Sequence, residues 1–226
     1  MKLGFFECSF CESRFVHETK FTKHRCDLMV RDEYVRTDVD GRFAFRVYKT
    51  WIEVRGYQRP RRSAFIESKY YNTIVKFVDF YREMMLPDLE DYMRFMVEDN
   101  LLPGMWSNAG IYEQYLIAFD DRVRPLKQAD ITFKYMDVLT ESLDCTYAEL
   151  FDYIDVREMV KLIQCRRFSP WVLLSSKRFM RYLAECNPNE APALEAMVED
   201  SMWQPRLRAW PKAYKAIREL TKELGI

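Results

Sequence analysis

The sequence predicts an all-α protein of two helical lobes behind a small N-terminal ββα module. Apolar residues recur at spacings of three and four from about residue 30 onward, the period of one helix face. Only 6 of the 226 residues are glycine, and no alternating run is long enough for a sheet of any size. The first 26 residues differ from the rest, because both histidines and three of the six cysteines fall there. The expected organisation is a module over residues 1–30, a first lobe over 31–127 and a second over 128–226.

The module is "FFECSFCESRFVHETKFTKHRC", residues 5 to 26. Cys8 and Cys11 enclose two residues, the spacing of a knuckle that offers two thiolates to one tetrahedral ion. Twelve residues separate Cys11 from His24, enough to cross a short hairpin and return along a helix. Phe6, Phe15 and Phe21 are placed to form the small apolar core beside the metal. The expected ion is Zn2+, held by Cys8, Cys11, His24 and a fourth ligand. Cys26 is the better candidate, provided the helix ends or tightens at His24. Its rival His17 lies about two turns before His24 and is better placed to project outward.

The module resembles the zinc-finger family, whose base-reading helix positions would fall on His17, Lys20 and Lys23. One finger covers only about 3 base pairs, so Lys20 and Lys23 suit a nonspecific DNA clamp or a protein-docking knob. A purely structural zinc staple is the remaining reading. Cys145, Cys165 and Cys186 lie scattered in helical sequence and read as ordinary thiols used as small buried hydrophobes.

Beyond the module, "RFAFRVYKTWIEVRG" places Ala44, Val47, Tyr48, Trp51 and Ile52 on one face and stops at Gly56. Ser63 is expected to cap a long helix over "AFIESKYYNTIVKFVDFYREMM". Pro87 opens the next, and a Ser107/Asn108 cap opens "IYEQYLIAFDDRV", which Pro125 ends. The second lobe continues with "DITFKYMDVLTESL", "TYAELFDYID" and "DVREMVKLIQCRR". Ser169 and Pro170 then form a cap and first turn before "WVLLSSKRFMRYLAEC". Two further helical stretches finish the chain, the last bearing Arg206, Arg208, Lys212, Lys215, Arg218 and Lys222 and broken only by Pro211. Trp51, Trp106, Trp171 and Trp203 fall on apolar stripes and are expected in the core.

Apolar residues at 49% and charged residues at 31% describe a soluble globular chain rather than a disordered one. No stretch approaches 18 consecutive apolar residues and no secretory h-region opens the chain, so a reducing cytoplasm is the expected compartment and no membrane partner is expected. Formal charge is zero, but its distribution is uneven. Residues 31–76 carry 11 basic and 6 acidic side chains, whereas residues 77–121 carry 2 basic and 10 acidic. Separated faces of opposite sign suit a polyanion on one side and a different partner on the other.

Nothing in the sequence assembles a catalytic frame. There is no phosphate-cradling glycine loop, nucleophile elbow or His-Glu hydrolase pattern. Acid pairs such as Asp120 and Asp121, or Asp152 and Asp155, have no lysine or histidine partner in a recognisable arrangement. The chain reads as a binding protein, not an enzyme.

Several stretches, in order, are similar to the replicative helicase loader (helicase assembly protein) family of T-even-type bacteriophages. They are "DGRFAFRVYKTW" (40–51), "AFIESKYYNTIVKFVDFY" (64–81), Trp106, "IYEQYLIAFDDRVRPLKQ" (111–128), "VKLIQCRRFSPWVLLSSKRFMRYLAE" (160–185), Trp203 and "RLRAWPKAYKAI" (206–217). The resemblance covers about residues 34–218. It implies two helical lobes, the first HMG-box-like, and a cytoplasmic phage protein in a bacterial host. It implies forked or single-stranded DNA, a replicative helicase and a single-strand-binding protein as partners. The N-terminal finger is an addition to that family. The basic groups expected to meet phosphate are Arg55, Arg59, Arg61, Arg62 and Lys69 in the first lobe, and Arg166, Arg167, Lys177, Arg178 and Arg181 in the second. The alternative expectation is a phage regulator, an inhibitor or transcription co-factor, that binds a protein through its acidic helices and uses zinc only for stability.

Overall fold

The structure is a computed structural model that describes residues 5–226; residues 1–4 of the expected N-terminal module lie outside the described residues. The described chain is all-α apart from one two-stranded hairpin. It divides into two compact units, one of residues 5–83 and Leu89–Asn108, the other of Met84–Asp88 and Ala109–Ile226. The sequence reading placed this division near 125–130. It falls earlier because Tyr112 and Tyr115, on the helix before Pro125, donate to the carbonyls of Met84 and Asp88 within the second unit.

In the first unit, strands β1 (Phe6–Glu7) and β2 (Arg14–Phe15) pair antiparallel, and helix α1 (Glu18–Thr22) follows. Helix α2 (Asp27–Thr37) comes next, then α3 (Val39–Val54). Sequence periodicity had not singled out α2, whose apolar stripe is weak. The Asp38 carboxylate caps α3 by accepting from the backbone of Asp40 at 2.8 Å and Gly41 at 3.4 Å. Gly41 allows the two helices to approach, since a Cβ there would lie 2.2 Å from the Tyr34 carbonyl oxygen. Gly56 ends α3 with φ +83, a left-handed geometry that glycine adopts without a Cβ penalty.

The single long helix expected after Ser63 is two, α4 (Arg62–Ile66) and α5 (Tyr71–Glu83). Ser68 Oγ accepts from the Tyr70 N–H at 3.1 Å, a local bond that competes with helix continuation. Arg61, not Ser63, occupies the position before the first turn of α4. Helix α6 (Leu89–Glu98) and a 3-10 turn (Pro103–Met105) complete the unit. Its core joins Trp51 from α3, Phe77 from α5, Tyr92 from α6 and Trp106, all buried. Trp51 and Phe77 meet the Trp106 ring edge-on at 5.3 and 5.6 Å. Each such side chain contributes about 1.5–3 kcal/mol by leaving water. The polar atoms are satisfied too, with Tyr92 Oη donating to the Trp106 carbonyl and the Trp106 indole to that of Leu101.

The second unit contains α7 (Ala109–Arg122), α8 (Pro125–Leu143), α9 (Leu150–Tyr153), α10 (Val156–Gln164) and α11 (Pro170–Leu173). It closes with α12 (Lys177–Glu185), α13 (Ala191–Met197), α14 (Asp200–Ala209) and α15 (Pro211–Glu223). Pro125 starts α8 as well as separating it from α7. Ser169 caps α11 by accepting from the Trp171 N–H, with Pro170 in the first turn, as expected. The helix expected to run on from there breaks at Ser175–Ser176. Ser176 Oγ accepts from the Phe179 N–H and starts α12. Trp171 and Trp203 pack edge to face at 6.0 Å in the core, with Leu162, Phe168, Phe179 and Ile217. Of the three scattered cysteines only Cys165 is fully buried; Cys145 and Cys186 are half-buried.

Candidate metal centre

The hairpin delivers the first two ligands. Glu12 adopts φ +58, and the bonds Glu12 N–H to Cys8 O and Cys8 N–H to Ser13 O fold the Cys8–Cys11 segment into a knuckle. Phe6 faces Phe15 across the strands. Their rings meet Phe21 at 5.7 and 6.0 Å, and Phe15 lies 4.8 Å from the His24 ring. The three rings expected from spacing therefore form one cluster against the site.

Helix α1 stops at Thr22, and the His24 N–H bonds to the Phe21 carbonyl in a tightened last turn. The early stop meets the condition for Cys26 to come back to the site. Sγ of Cys26 lies 3.9 Å from that of Cys8, and Cys11 Sγ lies 3.2 Å from His24 Nε2. All four ligand atoms lie within 4.8 Å of one another. A regular tetrahedron with metal–sulfur bonds near 2.3 Å has ligand separations of about 3.8 Å, so the four residues could hold a tetrahedral ion. His17 is exposed at the N-cap of α1 and is not part of the cluster.

The donors are electrostatically unequal. Hydrogen bonding to Ser13, whose Oγ lies 3.1 Å from Cys11 Sγ, pulls the Cys11 thiol down to about 6. Burial pushes the Cys26 thiol up, and the neighbouring sulfurs add to that. A cation at the centre would favour both as thiolates. Cys26 is also the N-cap of α2, and Met29 in its first turn lies 3.8 Å from Cys8. The ligand set thus reaches directly into the helix that carries Asp32.

The expected phosphate-contacting cations divide into two groups. Lys20, Lys23, Arg55, Arg59, Arg61, Lys69, Lys177 and Arg181 are exposed, and Arg178 is half-exposed. Arg55 stacks between the Trp51 and Tyr57 rings at 5.1 and 5.2 Å, Lys69 sits over Tyr70 at 5.0 Å, and Arg59 pairs with Glu53 at 3.6 Å.

Three others are held by partners distant in sequence, Arg62 while still exposed and Arg166 and Arg167 half-buried. Arg62 binds buried Asp32 at 2.6 Å. Arg166, at φ +61, pairs with Asp120 at 3.2 Å. Arg167 donates to the carbonyls of Met85 and Leu86 at 2.8 and 2.7 Å and covers the Tyr135 ring. Their contacts span 30 to 82 residues of sequence, so no local signal distinguished them from free surface cations.

Three cations that the sequence reading did not assign to a site, Lys215, Arg218 and Lys222, line an open groove with Lys177, Arg178 and Arg181. The available signal was their i, i+3, i+7 spacing, which puts them on one face of α15.

No family model, curated protein or solved structure matches the chain. No helix among the described residues is long and apolar enough to cross a membrane.

Proposed function

We propose that this chain is a non-enzymatic DNA-replication accessory protein that binds forked or single-stranded DNA and loads a replicative helicase beside a single-strand-binding protein. The observation that carries the reading is the run of exposed cations over residues 55–69. Arg55 and Lys69 are each backed by an aromatic face, Arg59, paired with Glu53, and Arg61 fall between them in the sequence, and Tyr57 is 60% exposed. Cations held against rings lose less freedom on binding phosphate, and an open ring beside them can stack on an unpaired base. The ion at Cys8, Cys11, His24 and Cys26 is zinc in this reading, chosen by the thiolate-rich tetrahedral donor set. Lys20 and Lys23 stay outward as an accessory clamp.

The test is binding to forked, duplex and single-stranded DNA over a range of salt. Fork preference is expected, with a steep linear fall of log affinity against log salt. Replacing Arg55, Arg61 and Lys69 by glutamine should flatten that slope. Equal binding to all three DNAs, or none, overturns the proposal.

A further inference from the structure

We infer that the groove between α12 and α15 is a docking site for a peptide that combines acidic side chains with apolar anchors, presented by a protein partner. The inference deepens the proposed recruiting role and rests on it. The groove encloses about 1010 Å³ within the second unit. Its lining carries Lys177, Arg178 and Arg181 from α12 and Lys215, Arg218 and Lys222 from α15, against a single acidic side chain, Glu219. Glu219 is already paired with Lys215 at 3.9 Å. Among the described residues, none of the other five cations is in an ion pair.

Two of the cations sit where the fold alone disfavours them. Lys177 and Arg178 occupy the first turn of α12, which contains no acid. A helix N-terminus is the positive end of the dipole, so like charges there are unfavourable until an anion arrives. The walls are already fixed for that anion. Thr221 on α15 donates to the Ser175 carbonyl at 3.2 Å, and buried Ser176 caps α12. A preformed groove saves ordering entropy on binding. On their other side, Arg178 and Arg181 border a smaller cavity of about 300 Å³ with Asp152, Asp155, Glu185 and Glu190. Lys177, Arg218 and Lys222 do not line that cavity, so they are the cleaner positions to test.

The floor decides between a peptide and a nucleic acid. Leu174, Met180 and Tyr214 line it, and Met180 is 49% exposed. Single-stranded nucleic acid is normally held by several aromatic platforms, whereas Tyr214 is the one aromatic among the lining residues. Aliphatic and thioether surface between cations instead suits leucine or phenylalanine side chains flanked by aspartate or glutamate, with methionine adapting to their shape.

The experiment measures binding of three fluorescent probes to the full chain: a short peptide alternating aspartate with leucine and phenylalanine, a polyglutamate of equal charge, and oligothymidylate. The alternating peptide should bind at least about tenfold more tightly than polyglutamate. K177E/R218E/K222E should abolish its binding while thermal melting stays unchanged. Met180→Asn should weaken it about tenfold and leave polyglutamate binding as it was. Equal affinity for the two peptides, no peptide binding, or oligothymidylate binding that is lost in the same charge-reversal variant overturns the inference. Forked-DNA binding is measured on the same preparation, so a silent groove with an intact fork preference overturns this docking site alone.

Discussion

Cys26 Sγ lies 3.9 Å from Cys8 Sγ while the Cys26 backbone forms the N-cap of α2, so the candidate ligand cluster and α2 share a residue. An ion held by these four residues would therefore be coupled to the seating of α2. One zinc per chain is expected by metal analysis, lost in Cys8→Ser and Cys26→Ser and retained in His17→Ala. Chelation should lower the melting temperature and reduce amide-exchange protection in residues 27–37, because structural metal binding is folding free energy. Loss of metal in the His17 variant would refute the ligand set.

Asp32 is 5% exposed and accepts from Arg62 at 2.6 Å and Arg36 at 3.0 Å. Both arginines are about half-exposed and can return to water, which limits the cost of losing the carboxylate. Asp32→Ala should destabilise the chain by about 1–3 kcal/mol in urea unfolding. Arg62→Ala should cost a similar amount, since it leaves a buried carboxylate with one partner fewer. An Arg62 variant that loses DNA affinity without losing stability would contradict this internal role.

Gly41→Ala tests the approach of α2 to α3. The added methyl would sit 2.2 Å from Tyr34 O and 2.6 Å from its carbonyl carbon, both backbone atoms that cannot swing aside. Overpacking of this kind costs about 1–3 kcal/mol, more than offsetting the better helix propensity of alanine. A melting temperature equal to or above that of the parent would refute the close contact.

Thr132, Ser169 and Gln128 form a buried polar junction between α8 and α11. The Ser169 N–H donates to Thr132 Oγ1 at 2.8 Å, Ser169 Oγ lies 3.1 Å from Gln128 Oε1, and Gln128 Nε2 donates to the Val123 carbonyl at 2.7 Å. Thr132→Val keeps the volume and leaves the Ser169 N–H unpaired, for an expected loss of about 1–3 kcal/mol by chemical denaturation.

Asp120 gives a pH signature. Burial pushes its carboxyl up, more than Arg166 and Arg206 pull it down, and its Oδ1 has no hydrogen-bond partner. With the folded pKa above the unfolded one, the folded state holds the proton more tightly. The contribution of Asp120 to stability is therefore largest at low pH and falls as pH rises from the ordinary aspartate range through the raised value. The stability of the parent relative to Asp120→Asn should decline over that window in a series of urea titrations; a rise would reverse the assignment.

Much of this fold was readable locally. The cap at Ser169 with Pro170, the stop at Gly56 and the four core tryptophans all depend on a few adjacent residues or on one helical face. The candidate ligand cluster is legible for the same reason, because ligand spacing and ring positions are set within 26 residues. The breaks at Ser68 and Ser176 were not, since a serine inside an apolar stripe can either continue a helix or bond the local backbone and end it. Ser68 accepts from the Tyr70 N–H in the turn between two helices, and Ser176 caps α12 by accepting from the Phe179 N–H.

By itself the sequence determined the helical class, the candidate metal ligands and the presence of uneven charge, all of which follow from residue type and short-range period. Only the tertiary structure decided which cations are available. Arg62, Arg166 and Arg167 find partners far along the chain, while Lys177 meets Arg218 and Lys222 across one groove. A charge acts over distance in space, and separation in space is set by how helices pack, which residue order along the chain does not record.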